Sequence, residues 1–146
     1  MLKKPNQILA CVAFFLFTLS SVASADTSSE IRRLIADDIK YTETNLSGRP
    51  GSLSDQGSLE FWSSGGLLQV VEPAPERFEV FRGSAKHIEV IVLVEGQAAV
   101  AQFYQEAVMK PVGLPLISDY RTRVTQVFKK EEGQWKIVAA HYSPLR

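Results

Sequence analysis

The carboxyl-terminal strand ends in polar groups that need hydrogen-bond partners. Residues 131–146 have the sequence EEGQWKIVAAHYSPLR, in which a charged turn is followed by alternating apolar residues and then by His141, Tyr142 and Ser143. Such alternation is typical of a half-buried strand. Because ligand pockets combine apolar walls with a few polar groups, we predict that this strand forms part of a pocket floor.

An acidic residue interrupts an apolar stretch further upstream. Glu89 lies within residues 87–92, HIEVIV. A buried acid at this position could act as a general base if burial raised its pKa. The alternative is a partly solvated acid at a strand end, or one paired with an arginine, because perturbed acids are often structural.

Two arginines two residues apart could bind an anion. Arg121 and Arg123 share one face of a predicted strand, since alternate side chains of a strand point the same way. They could hold a carboxylate or phosphate with forked hydrogen bonds. Alternatively, they pair with acids across the sheet or at a subunit boundary.

The sequence predicts neither a metal site nor a bound cofactor. His87 and His141 are the only two histidines, and the sequence contains neither a His-x-x-x-His pair nor a cluster of histidines and carboxylates. The single cysteine, Cys11, lies near the amino terminus, and no serine has the context of a nucleophile. Two aromatic residues, Tyr41 and Trp62, are either core residues or parts of a pocket wall.

The first 25 residues have the layout of a secretory signal peptide. Lys3 and Lys4 precede an apolar run from Ile8 to Val22, and small residues follow at positions 23–25. The run is short for a membrane span, so we expect cleavage after Ala25, export to the periplasm, and no stable membrane insertion afterwards. The mature domain is residues 26–146. Removal of two lysines leaves 14 basic and 16 acidic residues, which argues against a nucleic-acid partner.

The order of predicted elements indicates an α+β fold. A helix is expected from about Ser29 to Leu46, with Thr27 and Glu30 forming a capping box. A second short helix, or a turn, should carry Leu59, Phe61 and Trp62. About six strands follow, with a turn at residues 82–84, and most are joined as hairpins. We therefore expect a curved, mostly antiparallel sheet wrapped around amino-terminal helices as a cone.

The closing strand resembles that of a known family. GQWKIV at residues 133–138, followed by His141 and Ser143, is similar to the last strand of the nuclear transport factor 2-like superfamily, particularly its SnoaL-like, polyketide-cyclase-like branch. The capped first helix, the hairpin at residues 95–100 and YRTRV at residues 120–124 also resemble it. The resemblance implies a cystatin-like cone with a pocket between sheet and helices, and a homodimer packed through the outer sheet face.

By analogy with the related kinase association domains, Tyr142 points into the pocket and His141 lies on the outer face. The other predicted ligand-binding residues are Tyr41, Trp62, Glu89, Tyr104, Tyr120 and Gln126. The dimer strip is expected to comprise Trp135, Ile137, Ala139 and His141. A β-bulge would change this parity and make His141 the pocket residue instead.

Three functions are compatible with these features. The first is binding of a small, largely apolar organic ligand. The second is general acid–base catalysis by an isomerase, cyclase or dehydratase that uses Glu89 or a tyrosine. The third is a dimeric assembly module without a cavity. The fold alone does not decide between them.

Overall fold

The computed structural model describes residues 26–145, so the predicted signal peptide lies outside the described residues. These residues form one helix followed by six strands. The elements are α1 (Thr27–Asn45), β1 (Ser58–Phe61), β2 (Gln69–Val71), β3 (Phe78–Val94), β4 (Ala98–Pro111), β5 (Ile117–Glu131) and β6 (Gln134–Pro144). The strands form a single sheet in the order β2-β1-β6-β5-β4-β3, in which only β1 and β6 are parallel neighbours. The α+β prediction is confirmed.

Helix α1 begins one residue earlier than a capping box at Thr27 requires. Asp26 is the N-cap, and its Oδ1 accepts a hydrogen bond from the Ser29 amide at 2.8 Å. The buried Thr27 hydroxyl donates to Glu95 Oε1 at 2.6 Å and accepts from the Gly96 amide at 2.8 Å. The start of α1 is therefore fixed to the turn between β3 and β4.

The apolar face of α1 covers the concave face of the sheet. Ile31 and Ile35 are buried with small and aromatic residues of the central strands. The sheet residues of this cluster are Ala99, Ala101, Phe103, Val124, Phe128, Ile137 and Ala140.

Within residues 26–145, no helix combines the length and apolar character that a membrane span needs.

Two predicted elements are wrong. The segment with Leu59 and Phe61 is strand β1, not a helix, because its backbone pairs with Ala139 and His141 of β6. Strand β3 also runs without a turn through Gly83. A Cβ atom at Gly83 would lie 3.1 Å from the Phe81 ring, so this glycine makes room for a buried aromatic side chain.

A β-bulge in β6 corrects the predicted dimer strip. Val127 pairs with Ala139 and Phe128 with Ile137, so Val138 is an extra residue opposite the β5 ladder. The bulge places Ile137 in the core, and the Trp135 indole packs against that core and donates to Glu30 Oε2 at 2.7 Å. Only Ala139 and His141 of the predicted strip remain on the outer face.

Candidate functional site

A cavity of about 370 Å³ lies between α1, the segments that follow α1 and β2, and the concave face of the sheet. Its apolar wall comes from α1 and from strands β3, β4 and β6. The side chains of this wall include Ile35, Ile39, Phe78, Phe81, Phe103 and Ile137. The volume lies within the usual range for small-molecule sites, and a mostly apolar lining is typical of them.

Three of the predicted site residues lie together in the cavity wall. Tyr142 stacks on Trp62 with ring centroids 5.4 Å apart, and its hydroxyl accepts a hydrogen bond from Gln126 Nε2 at 3.4 Å. Burial raises the pKa of the Tyr142 phenol well above its usual range, and the Glu60 carboxyl adds to this effect. Tyr142 is therefore a neutral hydrogen-bonding group within the cavity, whereas its role in ligand binding stays a prediction.

An ion pair links α1 to the loop that follows it at one side of the cavity. Asp38 of α1 pairs with Arg49, whose guanidinium also lies 5.2 Å from the centre of the Tyr41 ring. Burial raises the pKa of the Asp38 carboxyl to about 6, although Arg49 acts in the opposite direction. Tyr41 thus supports the ion pair and lies outside the cavity wall.

Two further acids lie in the cavity wall. Glu60 of β1 is only 3% exposed, and Glu76 is at the accessible rim. Burial raises the pKa of the Glu60 carboxyl, an effect that the Ser58 hydroxyl partly offsets. Partial burial raises the pKa of the Glu76 carboxyl, and the negative charge of Glu60 raises it further.

Tyr104 and Glu89 do not face the cavity, contrary to the predicted parity. Ala101 of β4 pairs with Gln126, so alternation places Phe103 inward and Tyr104 outward, where it meets His87 edge to face. Glu89 is on the outer face as well: its side chain is 76% exposed and its Oε2 lies 3.2 Å from Arg32 Nη2. The ion-pair alternative for Glu89 is the one observed.

Tyr120, His141 and the two arginines also lie outside the cavity. The Tyr120 hydroxyl accepts a hydrogen bond from Ser63 at 3.3 Å beside the cavity. His141 meets the Phe61 ring edge to face on the outer side of the sheet. Arg121 and Arg123 are exposed on that side too, and Arg121 donates to Asp119 at 2.7 Å.

Several polar groups of the cavity were missed by sequence reasoning. Asp38, Arg49, Glu60, Glu76 and Gln105 line it without having been predicted. The inward position of Gln105 could have been predicted. The odd-numbered residues 99, 101 and 103 of β4 are all apolar and indicate the buried face, and Gln105 continues that face. Arg49 and Glu76 come from loops, and Glu60 comes from a strand that pairs with a segment about eighty residues away, so local patterns carry no signal for these three. Asp38 lies on α1, three residues after the buried Ile35.

The described residues 26–145 contain no cluster of three or more His, Cys, Asp or Glu side chains that could hold a metal ion. The polar side chains of the cavity wall include three carboxyls, a guanidinium, a phenol, two amides and an indole. These groups can orient a small molecule by hydrogen bonds and charge, and a carboxyl with a raised pKa can also exchange protons.

Comparison with solved structures identifies the fold. A protein from Xanthomonas campestris, proposed as a calcium/calmodulin dependent protein kinase II association domain, aligns over 80% of this chain and 86% of its own, with 16% identity and a TM-score of 0.58. An NTF2-like protein of unknown function from Pseudomonas putida aligns over 80% and 84%, with 18% identity and a TM-score of 0.57. A protein with a cystatin-like fold from Caulobacter vibrioides aligns over 81% and 89%, with 14% identity and a TM-score of 0.56.

The chain therefore has the cystatin-like fold of nuclear transport factor 2-like proteins. At these identities the likeness concerns the fold and does not distinguish the branches within it. No protein-family model matches the sequence, and no curated protein is similar enough to count as a match.

Proposed function

We propose that this protein is an exported domain that binds a small organic ligand in the cavity of the cone. The observation that carries the proposal is the cavity, whose apolar wall holds convergent polar groups. These groups include the Tyr142 hydroxyl with its Gln126 partner and the carboxyls of Glu60 and Glu76. A few polar groups within an apolar wall are what fixes the orientation of a bound small molecule.

Removal of one hydroxyl tests this proposal. A thermal-shift screen with aromatic and alicyclic fragments should give hits, and Tyr142→Phe should weaken them about 3- to 10-fold, equivalent to one hydrogen bond. The fold should persist because the ring still stacks on Trp62. Titration calorimetry measures the affinities, with Tyr104→Phe on the outer face as the matched control. Equal losses in both variants, or none in either, would argue against a site at Tyr142.

A second candidate is acid–base catalysis of the kind that the SnoaL-like branch includes. The specific observation is Glu60, a buried acid with a raised pKa close to the Tyr142 phenol. Glu60 replaces Glu89 in this role, because Glu89 lies on the outer face. We favour binding over catalysis. A cavity with an apolar wall and a few polar groups suffices for binding, whereas catalysis also needs a substrate whose reacting atom lies within hydrogen-bond reach of Glu60.

We also propose that two copies of the chain associate through the outer sheet face. An unbroken row of aliphatic side chains crosses all six strands on that face, which we call the aliphatic belt. By strand register it consists of Val70, Leu59, Ala139, Val127, Val100 and Ile91. Phe61 flanks the belt, and both it and most belt residues are half-buried or exposed.

The belt supports a homodimer for a geometric reason. A belt that spans the sheet can meet its own copy about a two-fold axis, so that each copy buries the same surface. Contiguous exposed apolar surface of this kind marks interaction sites in soluble proteins. The similarity to a proposed kinase association domain is consistent with assembly.

Export is the remaining part of the proposal. It rests on the Lys3-Lys4 start, the apolar run and the small residues at positions 23–25. Amino-terminal sequencing of the protein from its host should begin at Asp26, which is also the N-cap of α1. Recovery of intact Met1 in the membrane fraction would favour an uncleaved anchor.

A further inference from the structure

The cavity carries an excess of negative charge. Three acids and one arginine line it, and the arginine is already paired, since Arg49 contacts Asp38. Glu60 and Glu76 form no ion pair with any residue of the described chain. Lys136, which lies near Gly51 at one edge of the wall, pairs with Asp55 instead. Two carboxyls are therefore left for a positively charged partner.

The position of Glu60 is unusual for a strand. In β1 the apolar residues Leu59 and Phe61 point outward and are about half exposed, whereas Ser58 and Glu60 point inward and are buried. This reverses the usual pattern, in which apolar residues face the interior. Burial of a carboxyl without an opposite charge is destabilising. A cation bound in the cavity would offset that cost.

The wall around these acids is aromatic. The stacked pair Trp62 and Tyr142 forms one side, and Phe78 and Phe81, with centroids 5.0 Å apart, form another. Aromatic faces attract organic cations, and they also pack against the apolar body that such cations carry. Acidic groups within an aromatic wall are thus suited to an organic ammonium ion.

We propose that the ligand of the cavity is a small organic ammonium ion with an apolar body. Its charged nitrogen is held by Glu60, with Glu76 at the rim, and its body packs against Trp62 and Tyr142. This inference rests on the proposed function, which it deepens by naming the class of ligand. Burial raises the pKa of both carboxyls, and a bound cation would favour their ionised forms.

Three shape-matched probes test the inference by titration calorimetry on residues 26–146. They are 2-phenylethylamine as its ammonium ion, 2-phenylethanol as the neutral analogue, and phenylacetate as the anion. We expect the ammonium ion to bind about tenfold or more tightly than the alcohol, because hydrogen bonds to charged groups are stronger than neutral ones. Phenylacetate should bind most weakly.

Matched variants assign the preference to its residues. Glu60→Gln keeps the shape of the side chain and should bring the ratio of ammonium to alcohol affinity close to one, chiefly by weakening the binding of the ammonium ion. Glu76→Gln should lower the ratio by a smaller factor, because Glu76 is at the rim. Glu89→Gln, in an exposed ion pair outside the cavity, should leave it unchanged. Circular dichroism establishes whether each variant is folded. If Glu60→Gln does not fold, the affinity ratio of Glu76→Gln is the one that tests the inference.

The outcomes separate this inference from the proposed function. Equal affinity for the ammonium ion and the alcohol, or a preference for phenylacetate, would overturn the inference while the cavity remained a ligand site. A fragment screen whose hits all lack an ammonium group would do the same. Absence of any hit in the screen, together with no binding of any of the three probes, would overturn both.

Discussion

Replacement of Phe128 by alanine should lower the free energy of unfolding by about 3–5 kcal/mol. Phe128 is 1% exposed and belongs to the same buried cluster as Ile31 and Ile35 of α1. Its loss leaves a void between the helix and the sheet, which the surrounding side chains fill only in part. Urea denaturation followed by circular dichroism measures the change.

The control for this prediction is an apolar residue that makes no core contact. Leu67 is 88% exposed, so Leu67→Ala should change the free energy of unfolding by less than about 0.5 kcal/mol. Because α1 forms one side of the cavity, Phe128→Ala should also weaken fragment binding. A loss of stability below about 1 kcal/mol would contradict the position of Phe128 at the centre of the core.

Two charges placed in the aliphatic belt should convert the proposed dimer to a monomer. Leu59 and Ile91 lie at opposite sides of the sheet and are 49% and 56% exposed, so aspartates at both positions should be tolerated by the isolated chain. In the dimer they would be desolvated, which costs several kcal/mol at an interface. The double variant Leu59→Asp, Ile91→Asp should therefore dissociate at least about 100-fold more readily.

Light scattering and sedimentation across micromolar concentrations measure this effect. Leu67→Asp adds a charge in the segment before β2, at a position that is not part of the belt, and should leave the dimer intact. A wild-type protein that is monomeric across this range would refute the dimer. A double variant that associates as strongly as the wild type would place the interface elsewhere.

The long hairpin strands could be predicted from the sequence because their pattern is local. Strands β4 and β5 contain long runs in which burial alternates, and glycine turns separate β3 from β4 and β5 from β6. The short strand β1 could not be predicted in this way, because it pairs with β6, and Ala139 of β6 lies about eighty residues further along the chain than its partner Leu59. Its apolar residues also point outward, so its pattern does not indicate a buried strand.

The cavity was predicted in part for a related reason. The resemblance to kinase association domains placed Tyr142 on the inner face, and strand parity added Gln126, as observed. The bulge at Val138 is the reason that Trp135 and Ile137 were placed on the wrong side. A single extra residue in a strand reverses the face on which all earlier residues of that strand lie, and the amino-acid composition does not mark where such a bulge occurs. The inward position of Glu60 likewise follows from the pairing of β1 with β6.

Native mass spectrometry of the mature protein, purified from its host without denaturation, tests the central claim most directly. It reports the subunit number and any retained small molecule together. We expect a dimer in which each chain carries an added small mass that denaturation removes. Ala74→Trp, which fills the accessible side of the cavity, should give the same dimer without that mass. The bare mass of the wild-type chain, together with no binding of fragments to it, would contradict the claim that the cavity is a ligand site.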